Sequence, residues 1–327
     1  MTGDSGAARL CARVGTTINA KYRLDALLGV GGMAAVYAAT HRNGDRVALK
    51  VLHAELSRVE SVRARFLREG YVANKIGHAG VVRVIDDDVA PDGGVYLVME
   101  LLEGGTLEQH RVASGGRLSL AEASTLVGYV LDVLAAAHAQ RIIHRDIKPD
   151  NVFLTTRGVV KLMDFGIARM LDGVQATASG TLMGTPAFMP PEQANGRIKE
   201  VDARSDVWSA GALLFVLLTG EEVHRARTTS EQMIYAATQP ARSIATLMPE
   251  LEPEMAQVID VALAFDMSSR WQTASAMGNA LRYAGGRTSG VPARSAPSPI
   301  APASHPISSS GPTLIHGSGD PRDTKKP

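Results

Sequence analysis

His144-Arg145-Asp146-Ile147-Lys148-Pro149-Asp150-Asn151 is followed, after a short interval, by Asp164-Phe165-Gly166. The first run sets a lysine two residues and an asparagine five residues beyond one aspartate, and the second run supplies another aspartate. Phosphoryl transfer from ATP needs such a set: a carboxylate to orient the attacking hydroxyl, a cation to offset charge on the moving group, and oxygen ligands for a divalent metal. Either tripeptide alone is weak evidence. Both in this order, with Lys148 and Asn151 in place, make coincidence a poor explanation.

Upstream, Gly29-Val30-Gly31-Gly32-Met33-Ala34 lies between two strand-like runs. Glycines let a backbone come close to phosphates and aim its N–H groups at them. The same run also suits a plain hairpin turn. A dinucleotide-binding loop would lead straight into a helix, whereas Ala35-Val36-Tyr37-Ala38-Ala39 continues as a strand. Val47-Ala48-Leu49-Lys50-Val51 and Val95-Tyr96-Leu97-Val98-Met99 read as further strands. Between them, Val59 to Ile76 reads as a helix with Phe66, Leu67, Tyr71 and Val72 on or near one face. Leu120 to Ala139 is amphipathic, with Leu126, Tyr129, Val130, Val133, Leu134 and Ala137 at helical spacing. Ala203 to Leu218 is more uniformly apolar and so belongs near the centre.

A chain of 327 residues with 45% hydrophobic content can bury a large core. Its net charge of +1 provides no global field toward nucleic acid or a membrane surface. One cysteine, Cys11, excludes an internal disulfide and a zinc site built of cysteines. His41, His53, His78, His110, His138 and His224 lack metal-ligand spacing. No stretch reads as the ~18–20 apolar residues of a membrane span; the best candidate, Ala210 to Leu218, suits a buried core helix. Met1–Val14 carries Asp4, Arg9 and Arg13 without a long apolar centre, unlike a signal peptide. From Gly285 the composition turns to Pro, Ser, Ala and Gly, which cannot offset the entropy of ordering. The expected organisation is a flexible arm over 1–20, a folded region over 21–284, and a disordered tail over 285–327. The folded region divides into a sheet-rich part, about 21–99, and a mostly helical part, about 103–284.

From about Tyr22 to Tyr283 these motifs resemble the bacterial eukaryotic-like (Hanks-type) serine/threonine protein kinases. The resemblance implies an α+β, bilobal protein-kinase fold. Its N-lobe is a small antiparallel sheet with one key helix, and its C-lobe is larger and mainly helical. The implied cofactors are ATP and Mg2+, with Mn2+ as a possible substitute. Asp146 takes the role of catalytic base or hydroxyl orienter, Lys148 stabilises the transferred phosphoryl charge, and Asn151 and Asp164 bind the metal. Lys50 holds the α- and β-phosphates and Glu69 fixes Lys50; Glu55 and Glu60 sit too early for that pairing. Leu28, Gly29, Gly31 and Gly32 cover the nucleotide. Val36, Ala48 and Phe153 sandwich adenine, Met99 guards the back of the pocket, and the Glu100 carbonyl and Leu102 N–H bond the base.

The same resemblance assigns Lys148 and Gly184-Thr185-Pro186 to serine/threonine specificity. It pairs Glu192 with Arg270, has Asp206 brace the catalytic loop, and gives His144 a packing role. The chain departs from the family pattern at Ala34, in place of a third glycine, at Pro190, in place of alanine, and along Glu221-Glu222-Val223-His224. Expected partners are proteins with Ser/Thr acceptors and a transient homodimer for autophosphorylation, with no nucleic acid and no membrane span. The phosphate acceptors are Thr177 and Ser179, ahead of Thr181, drawn by Arg145 and Arg169. Many relatives carry a membrane span and an outer sensor domain, and their absence here points to a cytoplasmic enzyme. Two rivals stand beside this reading. A pseudokinase ATP-binding scaffold would lack a catalytic residue, yet Lys50, Glu69, Asp146, Lys148, Asn151 and Asp164 are all present. A small-molecule kinase would not be expected to carry both Gly184-Thr185-Pro186 and Pro191-Glu192.

Overall fold

A computed structural model describes residues 4–165 and 186–289. The first part is a six-stranded antiparallel sheet, ordered β1-β2-β3-β4-β6-β5. Its strands are β1 (Thr17–Ile18), β2 (Tyr22–Val30), β3 (Ala34–His41), β4 (Arg46–Leu52), β5 (Val84–Val89) and β6 (Val95–Glu100). Side chains alternate between two cores, as the strand period demands. Leu24, Tyr37, Leu49 and Tyr96 lie in one. Leu52, Val95 and Leu97 lie in the other, with Phe66 of helix α3 (Glu60–Lys75). The sheet curls strongly: Asn19, in the turn between β1 and β2, donates to Asp88 Oδ2 at 3.0 Å and to Val89 O at 2.9 Å on the opposite edge strand.

Two expectations about this lobe are corrected. Residues 1–20 are not a loose arm throughout. Asp4–Cys11 form helix α1, Leu10 packs on the first core, and Tyr37 donates its hydroxyl to Leu10 O at 3.1 Å. Gly15 N–H bonds Leu24 O at 2.7 Å, so the chain is tied to β2 before β1 begins. The expected face of α3 holds at Phe66 and Leu67, which pack on the second core, but not at Tyr71. Phe66 and Gly70 are buried, whereas Tyr71 is exposed and donates its hydroxyl to Asp87. Helix and sheet approach so closely at Gly70 that a Cβ there would lie 3.0 Å from Leu97 Cδ1 and 3.4 Å from Val84 Cγ2.

The second part begins with the small sheet β7 (Gly104–Thr106), β8 (Val152–Thr155) and β9 (Val160–Leu162). Around it stand α4 (Leu107–Ala113), α5 (Leu120–Ala139), α6 (Pro191–Ala194), α7 (Ala203–Thr219), α8 (Thr229–Thr238), α9 (Pro253–Ala262) and α10 (Ala274–Ser289); α2 (Ala54–Ser57) precedes α3 in the first lobe. Helix α7 starts at an Asp202–Ser205 capping box and ends at Gly220, whose φ of 71° glycine accepts without strain. Ser205 through Leu218 are all buried, as its apolar sequence implies.

Helix α5 corrects the reading that no segment is long and apolar enough to span a membrane: Leu120–Ala139 meets both criteria. It is a core helix here, burying Leu126, Val130, Val133, Leu134 and Ala137, with α7 and α10 packed against it. Tyr129, expected on that face, is exposed. Helix α10 runs on to Ser289, past the expected boundary at 284.

Candidate active site

The catalytic loop hangs from one carboxylate in the protein core. Asp206, on α7, is fully buried. It accepts the backbone N–H groups of His144 and Arg145, each at 2.8 Å, and His138 Nε2 on α5, also at 2.8 Å. Arg145 is thereby held at φ 68°, a left-handed conformation unfavourable for a side chain of this size. Burial pushes the His144 pKa down despite nearby Asp206 and Asp146. The neutral ring accepts Asp146 N–H at Nδ1 (3.3 Å) and donates from Nε2 to Met163 O (3.0 Å). Its ring centroid lies 4.5 Å from that of Phe165, the rings tilted by 47°, so it packs as expected and also joins the loop to the segment that carries Asp164.

Asp146, Lys148 and Asn151 converge. Asn151 Nδ2 donates to Asp146 O at 2.8 Å and to Asp146 Oδ2 at 2.9 Å. Lys148 Nζ lies 3.2 Å from the same Oδ2. Asn151 O accepts Met163 N–H at 2.9 Å, so the residue before Asp164 is tied to the same loop.

Across the cleft, Lys50 sits on β4 between Val36 of β3 and Leu97 of β6. Its Nζ is 2.5 Å from Asp164 Oδ1 and 3.8 Å from Glu69 Oε1, so Glu69 is the acid that α3 brings to Lys50. Burial works against the Lys50 charge, but Asp164 and Glu69 outweigh it and raise its pKa. Burial likewise opposes ionisation of Asp164; Lys50 overcomes it and holds that pKa low. Glu69, farther from the ammonium, is pushed by burial up to about 7. A cavity of about 180 Å³ behind the cleft is lined by Lys50, Glu69, Gly70, Met99, Asp164 and Phe165, among others. Met99 is one of its lining residues.

The glycine run is the tip of the β2–β3 hairpin, with Gly29 opposite Val36 and Gly31 N–H bonded to Ala34 O at 2.8 Å. Leu28 is exposed there, and Gly32 lies in the turn between the strands. Val36 and Phe153 are half-buried and Ala48 is buried. Leu102 is half-buried between β6 and β7, just past Glu100. The Glu100 side chain, given no role by the sequence, accepts Lys161 Nζ at 2.6 Å and Arg83 N–H at 2.8 Å. Lys161 also donates to Val81 O at 3.3 Å.

No cluster of three or more His, Cys, Asp or Glu suited to a metal occurs among the described residues. Magnesium does not require one, because it keeps waters and takes phosphate oxygens beside one or two protein ligands. Asp164 supplies a low-pKa carboxylate. Asn151 has its Nδ2 committed to Asp146, which leaves its amide oxygen as the ligand atom. The pair fits a hard divalent cation.

Below the cleft, Glu192 and Arg270 form a buried bidentate pair with both contacts at 2.9 Å. Burial opposes the Glu192 charge, but Arg270 more than compensates and lowers its pKa. Along the departure at Glu221–His224, Glu221 pairs with Arg225 and Arg242, and His224 is buried. Gly166, Arg169, Thr177, Ser179, Thr181, Gly184, Thr185 and the tail from 290 lie outside the described residues. Sequence reasoning missed His138 and Lys161, which no local motif marks and which meet partners far away in the chain.

The family description "Protein kinase domain" matches residues 22–281. The chain belongs to the protein kinase family. This kinase domain is 38% identical over 269 residues, 80% of the chain, to serine/threonine-protein kinase Pkn1 of Myxococcus xanthus. It is 34% identical over 277 residues, 82% of the chain, to serine/threonine-protein kinase PknA of Mycobacterium tuberculosis. The matched stretch spans 38% of the first relative's length and 62% of the second's. Among solved structures, the Mycobacterium tuberculosis PknI kinase domain superposes with a TM-score of 0.64 at 25% identity, covering 83% of this chain and 98% of that one. The resemblance and the bilobal fold expected from the motifs both hold. The family works generally with ATP and a divalent metal.

Proposed function

We propose that this kinase domain is active and transfers the γ-phosphate of ATP to serine or threonine hydroxyls of proteins. The observation that carries the reading is the convergence of Lys148 Nζ and Asn151 Nδ2 on one oxygen of Asp146, at 3.2 and 2.9 Å. Asp146 is so held that it can orient an acceptor hydroxyl and take its proton. Lys148, beside it, offsets charge on the phosphoryl group in flight. Lys50, anchored by Glu69, would turn from Asp164 to the α- and β-phosphates as nucleotide enters, releasing the Asp164 carboxylate for metal. Magnesium, held by Asp164 and Asn151, would supply neutralisation of phosphate charge. A silent scaffold would be expected to have lost one of these groups, and none is missing. Lys148 and the names of the relatives favour Ser/Thr over Tyr acceptors. The reading includes autophosphorylation at Thr177 and Ser179 through a transient homodimer, in the cytoplasm where ATP is plentiful.

The test is transfer of labelled phosphate to a generic basic protein and to the chain itself, with phosphoamino-acid and mass-spectrometric mapping. Asp146→Asn should lose ~10²–10⁴-fold in kcat with ATP affinity little changed. Asp164→Ala should lose magnesium-dependent nucleotide binding instead. Near-normal turnover by Asp146→Asn would sink the assignment.

A further inference from the structure

The backbone just before Asp146 is gripped through both polar groups of one residue. Arg145, the residue before it, sits at φ 68°. Its N–H is fixed by Asp206 Oδ1 at 2.8 Å. Its carbonyl is fixed by Gln193 Nε2 at 3.1 Å. Gln193 belongs to α6 and directly follows Glu192, whose carboxylate is locked to Arg270 in the core. The Asn195 Nδ2 bond to Ala237 O, at 2.6 Å, ties the end of the same short helix to α8. Gln193 therefore reaches the catalytic loop from a base that cannot shift far.

The other half of the Gln193 amide sharpens the point. Its Oε1 is buried and makes no hydrogen bond among the described residues. An unsatisfied buried oxygen is costly, so an apolar side chain of the same length would suit this place better if packing were all that mattered. Flipping the amide would set Oε1 against the Arg145 carbonyl, oxygen to oxygen. Among the described residues, the one hydrogen bond the amide makes is its donation to that carbonyl.

We propose that Gln193 is a positioning residue for phosphoryl transfer: by donating to Arg145 O it holds the left-handed peptide that aims Asp146 and couples the helix after the acceptor-binding segment to the catalytic carboxylate. The proposal rests on the kinase reading above. Losing one neutral hydrogen bond that acts through geometry corresponds to roughly a three- to tenfold fall in kcat.

Three substitutions in the full chain separate the roles of the amide. Gln193→Met keeps the reach and removes both polar atoms. Gln193→Glu keeps acceptors and, when ionised, has no donor. Gln193→Lys keeps a donor and has no acceptor. Wild type and variants are compared for kcat, KM for ATP and for a protein acceptor, nucleotide affinity, and unfolding temperature. Met and Glu should lose kcat by about three- to tenfold, with KM for ATP, nucleotide affinity and unfolding temperature little changed. Lys should recover most of the loss. The Glu deficit, taken as a ratio to wild type, should narrow as pH falls, because the neutral carboxyl can donate to Arg145 O. Wild-type kcat in Gln193→Met would overturn the proposal. So would an active Glu with an inactive Lys, which would assign the role to Oε1, or equal losses in all three that track a lowered unfolding temperature. An inactive wild type would instead tell against the kinase reading.

Discussion

Arg270→Leu puts a number on the ion pair that anchors α6. The Arg270 side chain is 0% exposed and that of Glu192 3%. The substitution takes both 2.9 Å donors from Glu192 and leaves it the Ser205 hydroxyl at 2.6 Å. It also withdraws donors from the carbonyls of Ala264, Phe265 and Arg204. Stranding one member of a buried pair costs about 3–5 kcal/mol. The surviving serine bond argues for the lower end and the abandoned carbonyls for the upper, so about 4 kcal/mol is expected. For a domain of this size, that is a fall of roughly 8–16 °C in unfolding temperature. In the wild type the Glu192 pKa lies below its ordinary value, so its stabilisation is full at pH 7 and fades only as pH falls through that low value. Without Arg270, burial raises the same pKa, and the penalty shrinks as pH falls and the carboxyl takes up a proton. Thermal unfolding at pH 7 and pH 5 should therefore show a larger deficit at pH 7. Glu192→Leu/Arg270→Leu together should recover much of the loss, since no charge is then stranded. An Arg270→Leu unfolding temperature within about 2 °C of wild type at pH 7 would refute the reasoning. So would a deficit that does not change with pH.

In the nucleotide-free protein, Glu69 should titrate near 7 by carboxyl NMR, and Lys50→Met should move that midpoint higher because a compensating cation is gone; a midpoint in the ordinary carboxylate range would contradict the burial argument. The raised value also means that ionised Glu69 costs stability, a cost present above its folded pKa and relieved as pH falls through it. Leu10→Ala should destabilise the N-lobe by about 1–2 kcal/mol, less than a fully buried leucine would, as read by urea denaturation; an unchanged midpoint would mean that α1 does not rest on the sheet.

The catalytic loop was legible because its chemistry is written locally: Asp146, Lys148 and Asn151 meet through a turn of a few residues. The strands and the long helices were legible from periodicity. Helix α1 was not, since it is short and offers Leu10 to the first core with little other apolar signal. The face of α3 is legible at Phe66 and Leu67, but its closest approach to the sheet is marked by Gly70, a residue with no side chain to count. Tyr71 and Tyr129 were drawn inward by their hydrophobicity, yet each has one polar end that water or a carboxylate can satisfy. Glu100 was assigned only its backbone because its partner, Lys161, is distant in sequence, and pairs of that kind leave no periodic trace.

Gly70 also decides how α3 can travel. With Leu97 and Val84 already against its backbone, the helix is seated at the inner stop of its stroke. Any side chain at position 70 would have to push the helix outward, and Glu69, the residue just before it, would move with it. The element thus behaves as a detent rather than a spring.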